Sequence, residues 1–317
     1  MEIGKLSALD CLYLSHNQLD SIPKELGNLK SLRWLYLSRN NLKDLPAELS
    51  ELVNLRWLYL NENLLSEVSF DISHLTSLTR LSLANNHLTF LPAEIGEVKS
   101  LYELNASNNQ LRTLPVEVCN ITGLRELRVE GNNIEYLPEE MHKLKKMMCL
   151  YVSDNNLREL PSRICELESL KQLFFSGNNF ESFPQQVCLL KSLTNLDLSD
   201  NNIEYLPPEI EKLVRLQILN ISRNKIQHLP AQICKLSFLK DLSASGNLLQ
   251  KLPVQIAQLG KLKNLYLHNN KIGSIPTEIE LLQSLCFLSL SGNPLSLAQL
   301  QELEQLLPQC EIWSGEV

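Results

Sequence analysis

The sequence lacks the long apolar runs that membrane-spanning proteins need. No uninterrupted apolar stretch of eighteen or more residues occurs among its 317 residues, so we expect no transmembrane helix. The segment Met1–Leu6 also lacks the basic and apolar regions of a secretory signal peptide. Both absences favour a protein that is neither inserted into a membrane nor secreted.

Sequence motifs for catalysis are also missing. The patterns HExxH, GxSxG and GxxxxGK[ST] do not occur, and the six histidines form no i, i+4 pair. We therefore expect no enzymatic activity, no cofactor and no metal site. The net charge of −7 argues against a general nucleic-acid-binding surface, which would be basic.

One phrase is instead repeated along the whole chain. The stretch Leu32–Leu42 reads L-R-W-L-Y-L-S-R-N-N-L, with leucine at places one, four and six and asparagine at place nine. The pattern returns every 23 residues in thirteen copies without insertion or deletion, with other apolar residues replacing some of the leucines. Place nine is asparagine in every copy. So strict a period predicts stacked repeats that share one continuous core.

The two halves of a repeat predict different local structures. Apolar residues alternate at Leu35 and Leu37, which predicts a short strand with one buried face. Asn40 follows where the chain must turn away, and its amide can satisfy backbone groups of its own and the neighbouring repeat. The second half, L-P-x-x-[LIV]-x-x-L from Leu45, predicts a short helical or extended segment entered through Pro46.

These patterns predict a single domain over residues 1–317. It consists of a partial repeat at 1–8, thirteen repeat phrases at 9–295 and a C-terminal cap at 296–317. In the cap, Ser296 and Gln299 predict a capping box that opens a helix. The partial repeat would expose an apolar edge and an unpaired strand. Two interpretations of this edge are a truncated product or isoform, and a surface that a partner covers.

The eight cysteines include no CxxC pair. One repeat position holds small residues such as Gly27, Ser50 and Ala257, and in four other copies it is cysteine: Cys119, Cys165, Cys188 and Cys234. We interpret it as a position for a small side chain and not as part of a metal site or a disulfide framework. This use of cysteine predicts a reducing, cytoplasmic setting.

Function is expected on the outward positions between the leucines, because these side chains point away from the core and form columns across the strands. Two columns bring together Trp34, Trp57, Tyr36 and Tyr59. Tryptophan, tyrosine and arginine are enriched in protein-binding hot spots. We predict a partner-binding patch made of these four aromatics with four bordering arginines: Arg33, Arg39, Arg56 and Arg80. The alternative is that the aromatics only stabilise the sheet.

The middle repeats contain a second candidate patch, in which charges of both signs surround two aromatic residues. Charges of both signs suit a protein partner better than nucleic acid, although an ordinary solvated surface is an equal alternative. The residues of this secondary patch are Arg128, Glu130, Tyr151, Asp154 and Phe174.

The full consensus, L-x-x-L-x-L-x-x-N-x-L-x-x-L-P-x-x-[LI]-x-x-L, covers residues 3–295 and resembles the intracellular Ras-group class of leucine-rich repeat proteins, which includes scaffolds of the Ras–Raf pathway. The segments Leu45–Leu49 and Leu91–Ile95 carry the resemblance most clearly. It implies an α/β solenoid, a horseshoe with about thirteen short parallel strands on its concave face, short helical or extended convex segments and the C-terminal capping helix.

The resemblance also implies what the protein does. The class consists of protein-binding modules, often in signalling or complex assembly, which bind partners on the concave face. Two functions remain open: a non-catalytic scaffold in intracellular signal transduction, and a regulatory or targeting subunit for a small GTPase or a phosphatase.

Overall fold

The computed structural model describes residues 2–315. It divides into two compact units, the first ending at Ser169 and the second beginning at Leu170. Each unit has the same construction, in which a three-residue strand is followed by a short 3₁₀ turn and then by the next strand. Within each unit, neighbouring strands in the sequence are parallel neighbours in the sheet.

The first unit contains seven strands and eight 3₁₀ turns among its described residues. The strands are β1 (Cys11–Tyr13), β2 (Trp34–Tyr36), β3 (Trp57–Tyr59), β4 (Arg80–Ser82), β5 (Glu103–Asn105), β6 (Glu126–Arg128) and β7 (Cys149–Tyr151). The turns are Glu2–Lys5, Lys24–Asn28, Ala47–Glu51, Ile72–His74, Ala93–Glu97, Val116–Asn120, Glu139–Lys143 and Ile164–Glu166.

The second unit, described to residue 315, contains seven strands, five 3₁₀ turns and one α-helix. Its strands are β8 (Gln172–Phe174), β9 (Asn195–Asp197), β10 (Ile218–Asn220), β11 (Asp241–Ser243), β12 (Asn264–Tyr266), β13 (Phe287–Ser289) and β14 (Glu311–Trp313). The turns are Gln185–Leu189, Pro208–Lys212, Ala231–Lys235, Val254–Gln258 and Thr277–Leu281, and the helix is α1 (Leu297–Leu306).

The register of the strands follows the 23-residue period. Leu35 pairs with Leu58 at the centre of neighbouring strands, and both side chains are buried. The residues on either side of each central leucine point to the opposite, open face of the sheet. Every column on this open face can therefore be read from the sequence at intervals of 23 residues.

Asparagine recurs at the same place in every repeat, and its side chains form the predicted ladder of hydrogen bonds between repeats. The Asn40 side chain accepts a hydrogen bond from the Leu19 N–H at 3.1 Å. Its amide donates to the carbonyl oxygens of Leu14, in the preceding repeat, at 2.9 Å and of Leu37, in its own repeat, at 3.0 Å. Because Asn40 is buried, these bonds replace water as the partner of backbone groups at the turn. The predicted role of the asparagines is confirmed.

A sharp corner precedes each of these asparagines. Place eight of all thirteen phrases has φ between +51° and +69°, the left-handed region. Glycine, asparagine and aspartate adopt this region most readily, and they occupy most of these positions. Arg39, Glu62 and Arg223 are larger residues held in the same conformation. This corner turns the chain off the sheet after every strand.

Proline directly precedes most of the 3₁₀ turns, as the repeat consensus predicts. Pro46 has φ of −67° and ψ of 142° and directly precedes the turn Ala47–Glu51. The apolar side chains of the turn, such as Leu49, are buried beneath the sheet. The turns and strands thus form two layers around a leucine core, which confirms the predicted leucine-rich solenoid of parallel strands and short turns.

The end of the second unit confirms the predicted capping helix and adds a strand that the sequence analysis missed. Ser296 and Gln299 form the capping box at the start of α1. Leu303 and Leu307 are buried, so the helix covers apolar surface of the last repeats. Beyond the helix, β14 pairs with β13. The prediction of about thirteen strands omitted β14, which lacks the repeat phrase.

Strand β1 of the first unit is less well covered. In β1, the central Leu12 is only half-buried, whereas the corresponding Leu35 is fully buried. Leu6, which precedes β1, is 52% exposed. The structure therefore leaves apolar surface at this edge, as the sequence analysis expects.

Candidate functional site

The aromatic patch is the group of Trp34, Tyr36, Trp57 and Tyr59 on the open face of β2 and β3. The register places Trp34 directly beside Trp57 and Tyr36 directly beside Tyr59. All four side chains are half-buried, because each is packed against its neighbours but keeps part of its surface open. The four aromatic residues predicted from the sequence are therefore brought together.

The rings of the aromatic patch adopt the arrangements that aromatic pairs favour. The Trp34 and Trp57 rings meet edge to face, with centroids 6.1 Å apart and an angle of 68°. The Tyr36 and Tyr59 rings stack with their centroids 5.3 Å apart and an angle of 3° between their planes. Such offset and edge-to-face pairs contribute about 0.5–1.5 kcal/mol each beyond the area they bury. The patch is consequently a pre-formed surface of fixed rings.

Tyr13 extends the tyrosine stack by one strand. Its ring lies 4.2 Å from that of Tyr36, centroid to centroid, at an angle of 6°. Burial, with a hydrogen bond to Tyr13 as the next cause, raises the pKa of Tyr36 above its usual value. Tyr13 is 69% exposed. Tyr13 is not among the residues predicted for the patch, although its column position in the sequence places it beside Tyr36.

Arg80 closes the other side of the patch. Its guanidinium carbon lies 4.8 Å from the centroid of the Trp57 ring. Its Nε donates to the Tyr102 hydroxyl at 2.7 Å and forms an ion pair with Glu103 at 3.1 Å. Desolvation opposes the charge on Arg80, but hydrogen bonds to Tyr59 and Tyr102 outweigh it, and the pKa of Arg80 is raised. Tyr102 was not predicted as part of the site.

The remaining three arginines differ in their electrostatic surroundings. Arg39 is paired with Glu62, Nε to Oε1, at 2.8 Å. Arg33 and Arg56 are exposed, and within residues 2–315 neither side chain forms an ion pair. They lie side by side, since the Arg56 N–H donates to the Arg33 carbonyl oxygen at 2.8 Å. The border of the patch therefore carries two uncompensated positive charges.

Within the first unit, the structure brings together Arg128, Glu130 and Tyr151 of the secondary patch. Arg128 lies with its guanidinium carbon 4.0 Å from the centroid of the Tyr151 ring. Its Nε also contacts Glu126 at 2.5 Å, a partner that the prediction did not include. Asp154 occupies a left-handed corner and is exposed. Phe174 belongs to the second unit, where it is half-buried in β8.

Glu130 is the most unusual member of the secondary patch. It occupies a column that holds serine at Ser107 and Ser153, so its larger carboxylate is packed among small neighbours. Burial raises the pKa of Glu130. Arg128 lies 3.9 Å from Glu130 Oε1, while Oε2 is buried and has no hydrogen-bond partner within the described part of the chain. The negative charge of the Glu130 carboxylate is therefore poorly compensated by its surroundings.

The open face of the second unit contains a cavity of about 330 Å³ that the sequence analysis overlooked. The signal for it is the run of small outward residues in one repeat: Ser243, Ser245 and Gly246. Arg223, which pairs with Asp200 at 3.2 Å, forms one wall, and the other walls include Tyr266 and His268. Tyr266 and His268 each contact a further aromatic ring: Tyr266 packs against Phe287, and His268 packs against Trp313.

The cysteines at the small-residue position are packed in the core. Cys119, Cys188 and Cys234 are buried, and burial raises the pKa of each thiol to about 12. Thiols with so high a pKa are poor nucleophiles at neutral pH. Cys165 at the same position is only half-buried. These residues act as small core side chains.

Neither a metal-ligand cluster nor a membrane-spanning helix occurs in residues 2–315. No group of three or more histidine, cysteine, aspartate or glutamate side chains there is placed to hold a metal ion. The helices of this part of the chain are too short or too polar to cross a membrane.

Comparison with known families identifies the repeat. A family model described as a leucine-rich repeat region matches residues 1–106, 116–200 and 208–314, and a shorter leucine-rich repeat model matches residues 192–213. The chain belongs to the leucine-rich repeat family. Members of this family are usually non-enzymatic modules for protein–protein interaction. A search of curated proteins gives no match.

Several solved structures resemble this leucine-rich repeat protein. A leucine-rich repeat protein of Leptospira interrogans is 36% identical, with 98% of this chain and 85% of that chain covered and a TM-score of 0.87. A plant peptide hormone receptor in complex with RGF2 is 28% identical, with 92% of this chain and 49% of that chain covered and a TM-score of 0.81. An internalin of Listeria monocytogenes shares the fold at 24% identity, with 99% of this chain and 88% of that chain covered and a TM-score of 0.88.

Proposed function

We propose that the protein is a non-catalytic interaction module that binds a protein partner through the aromatic patch on the open face of its first unit. The observation that carries the proposal is the packed group of Trp34, Trp57, Tyr36 and Tyr59 beside uncompensated arginines. Tryptophan, tyrosine and arginine are enriched in binding hot spots, and the two aromatic residues bury a large area at a small entropic cost.

The rigidity of the patch favours binding over sheet stabilisation alone. Cross-strand pairs contribute only about 0.2–1 kcal/mol each to a sheet, and buried leucines already hold the strands together. The rings are nevertheless fixed on several sides, and Arg80 fixes Trp57 from the neighbouring strand. A surface that is ordered before binding loses less entropy when a partner arrives.

Charge indicates what kind of partner segment would fit. Arg33 and Arg56 border the rings without an ion pair in residues 2–315. An incoming segment with acidic residues could compensate these charges, and apolar side chains beside them could cover the rings. We therefore propose a partner segment that is both acidic and apolar. Its association rate should fall as the salt concentration rises.

A role as a cytoplasmic signalling scaffold is the finer form of this proposal. It is supported by the 23-residue consensus that resembles the Ras-group class, seen in segments such as Leu45–Leu49 and Leu91–Ile95. Thiols buried in the core at Cys119 and Cys234 are in keeping with a reducing compartment.

Affinity capture from cell extracts, followed by binding measurements with each purified partner, tests the patch. We expect the Trp34→Ala/Trp57→Ala variant to bind its partner at least about 30-fold more weakly, which corresponds to a loss of about 2 kcal/mol at hot-spot residues. The matched control is Phe90→Ala/Tyr136→Ala, which removes two exposed aromatics that are 49% and 59% exposed elsewhere in the first unit. Equal binding by both variants would contradict the proposal.

A regulatory or targeting subunit for a small GTPase or a phosphatase is the second candidate function. The Ras-group resemblance of the consensus favours it. For a GTPase, the purified protein should bind the GTP-loaded form measurably more tightly than the GDP-loaded form. Indistinguishable dissociation constants for the two forms would rule out nucleotide-dependent regulation, and for a phosphatase the corresponding measurement is a change in turnover of its substrate.

A further inference from the structure

We propose that Cys286 and Cys310 form a site of reversible thiol oxidation, in which a disulfide links β13 to the C-terminal strand β14. The site lies in the second unit and is independent of the aromatic patch. It gives two cysteines outside the small-residue position a shared chemical role.

The strand register brings the two residues together. Phe287 pairs with Glu311, so the residues just before them, Cys286 and Cys310, occupy opposing positions at the start of neighbouring parallel strands. The Glu311 N–H donates to the Cys286 carbonyl oxygen at 2.8 Å, which fixes the two backbones beside each other. Neighbouring strands lie about 4.8 Å apart, within the Cα separation of roughly 4.4–6.8 Å that a disulfide requires.

Both thiols are reduced in the structure and accessible to different degrees. Cys286 is exposed and Cys310 is half-buried. The Cys286 Sγ contacts the Ser284 carbonyl oxygen at 3.4 Å, and the Cys310 Sγ contacts the Glu311 carbonyl oxygen at 3.6 Å. These are weak bonds, so rotation about each Cα–Cβ bond can turn the sulfurs toward each other with little loss of energy.

The order of the chemical steps follows from exposure. With glutathione disulfide as the oxidant, the exposed Cys286 thiolate attacks one of its sulfurs, forms a mixed disulfide and releases one glutathione thiolate. Cys310 then loses its proton and attacks the Cys286 sulfur, which releases the second glutathione. Two protein thiols are oxidised and one glutathione disulfide is reduced to two thiols. Burial raises the pKa of Cys310 to about 11, which lowers the fraction of its reactive thiolate available for the second step.

A disulfide between Cys286 and Cys310 would restrict the opening of strand β14. β14 pairs with β13 in the described part of the chain, and its Trp313 is packed edge to face against His268 at 6.2 Å, centroid to centroid. A covalent link to β13 would prevent β14 from opening separately from the rest of the unit. Oxidation should therefore hold Trp313 more firmly against the rim of the cavity on the open face.

The test incubates the full-length protein in glutathione buffers of increasing oxidised-to-reduced ratio. Peptide mass analysis without reduction should show the peptides of Cys286 and Cys310 joined, with the loss of two hydrogen atoms and full reversal by reduced glutathione. Amide hydrogen exchange in Glu311–Trp313 should become at least about tenfold slower in the oxidised protein, because separate opening of the strand is suppressed.

The controls are Cys286→Ser and Cys310→Ser, each of which should abolish both the linkage and the slower exchange. Cys149→Ser, on a strand of the first unit, should leave both unchanged. Stable glutathione attachment to Cys286 with Cys310 still reduced would overturn the proposal. So would a complete absence of oxidation at buffer ratios that oxidise a model dithiol, a result that requires only the wild-type protein.

Discussion

Arg80 lies with its guanidinium carbon 4.8 Å from the centroid of the Trp57 ring, one strand away on the open face. The contact matters because Arg80, in β4, is itself fixed by Tyr102, the residue just before β5, and by Glu103, the first residue of β5. The orientation of Trp57 is thus set by a chain of contacts that crosses three repeats. Residues outside the aromatic patch therefore help to fix the orientation of one of its rings.

Replacement of Arg80 by leucine should release Trp57 without changing the strand. We expect the Trp57 indole N–H resonance to move and broaden, because the cation–π contact and the ordering of the ring are lost. The resonance of Trp313, in the second unit, should not change. Two-dimensional NMR of the three tryptophan indoles measures this. Arg56→Leu is the control, since Arg56 is exposed and makes no ion pair in residues 2–315; an equal effect of both variants would contradict the assigned contact.

Asn155→Ala should destabilise the first unit. The Asn155 side chain accepts from the Ile134 N–H at 2.9 Å and donates to the carbonyl oxygens of Val129 at 2.9 Å and Val152 at 3.2 Å. Alanine leaves the Ile134 N–H without this partner, at about 1–3 kcal/mol while the group remains buried. It also removes one hydrogen bond from the Val129 carbonyl oxygen, which still accepts from the Asn132 side chain at 3.0 Å. Urea unfolding should give a lower free energy of unfolding by at least that amount.

The neighbouring Asn156 provides the control for this prediction. It is exposed, so Asn156→Ala should change the free energy of unfolding by less than about 0.5 kcal/mol. A similar loss in the two variants would mean that the asparagine ladder is not what stabilises the turn.

Gly131→Ala should be costly because of both conformation and space. Gly131 has φ of +66°, and a Cβ there would collide with the Asn108 side-chain oxygen. The left-handed conformation alone costs about 1–2 kcal/mol for alanine. Thermal unfolding should show a lower midpoint. Gly260→Ala is the control, because a Cβ at Gly260 meets no atom within 4 Å, and its midpoint should stay close to that of the wild type.

Glu130→Gln should stabilise the protein at neutral pH. Burial raises the pKa of Glu130 in the folded state above the unfolded value, so folding favours the protonated carboxyl group. The stability associated with this group is fully present below the unfolded pKa, near 4.3, and is lost as the pH rises through the folded pKa. Glutamine mimics the protonated form, so the gain should be clear at pH 7 and small near pH 4.

Urea unfolding of wild type and variant at both pH values measures this difference. Glu168→Gln serves as the control because Glu168 is exposed, and it should show little difference between the two pH values. A stabilisation by Glu130→Gln that is equal at pH 4 and pH 7 would contradict the assignment of a raised pKa.

Much of the fold follows directly from the sequence, because the spacing of Leu35, Leu37 and Asn40 states which groups are buried and where the chain must turn. The strand β14 could not be predicted this way. Glu311–Trp313 has no repeat phrase around it, and it forms a strand because β13 offers unpaired backbone groups at its edge. Tertiary pairing decides such a segment, and local pattern does not.

The candidate site was predictable to a similar extent. The columns at intervals of 23 residues bring Trp34 beside Trp57, and they also place Tyr13 beside Tyr36. The contact of Arg80 with Tyr102 depends on side-chain rotamers that the columns do not specify. The cavity in the second unit exists because small side chains line it, and small residues give no distinctive signal in the sequence.

The constant register has a consequence for how such a protein can change over evolutionary time. Within the first unit, Cys11 pairs with Trp34, Trp34 with Trp57 and Trp57 with Arg80, each time at the same offset of 23 residues. Unequal recombination in whole repeats would preserve the leucine core and the asparagine bonds while it altered which side chains become neighbours. A single genetic event of this kind would add, duplicate or remove a whole group of neighbouring side chains on the open face, such as the aromatic patch.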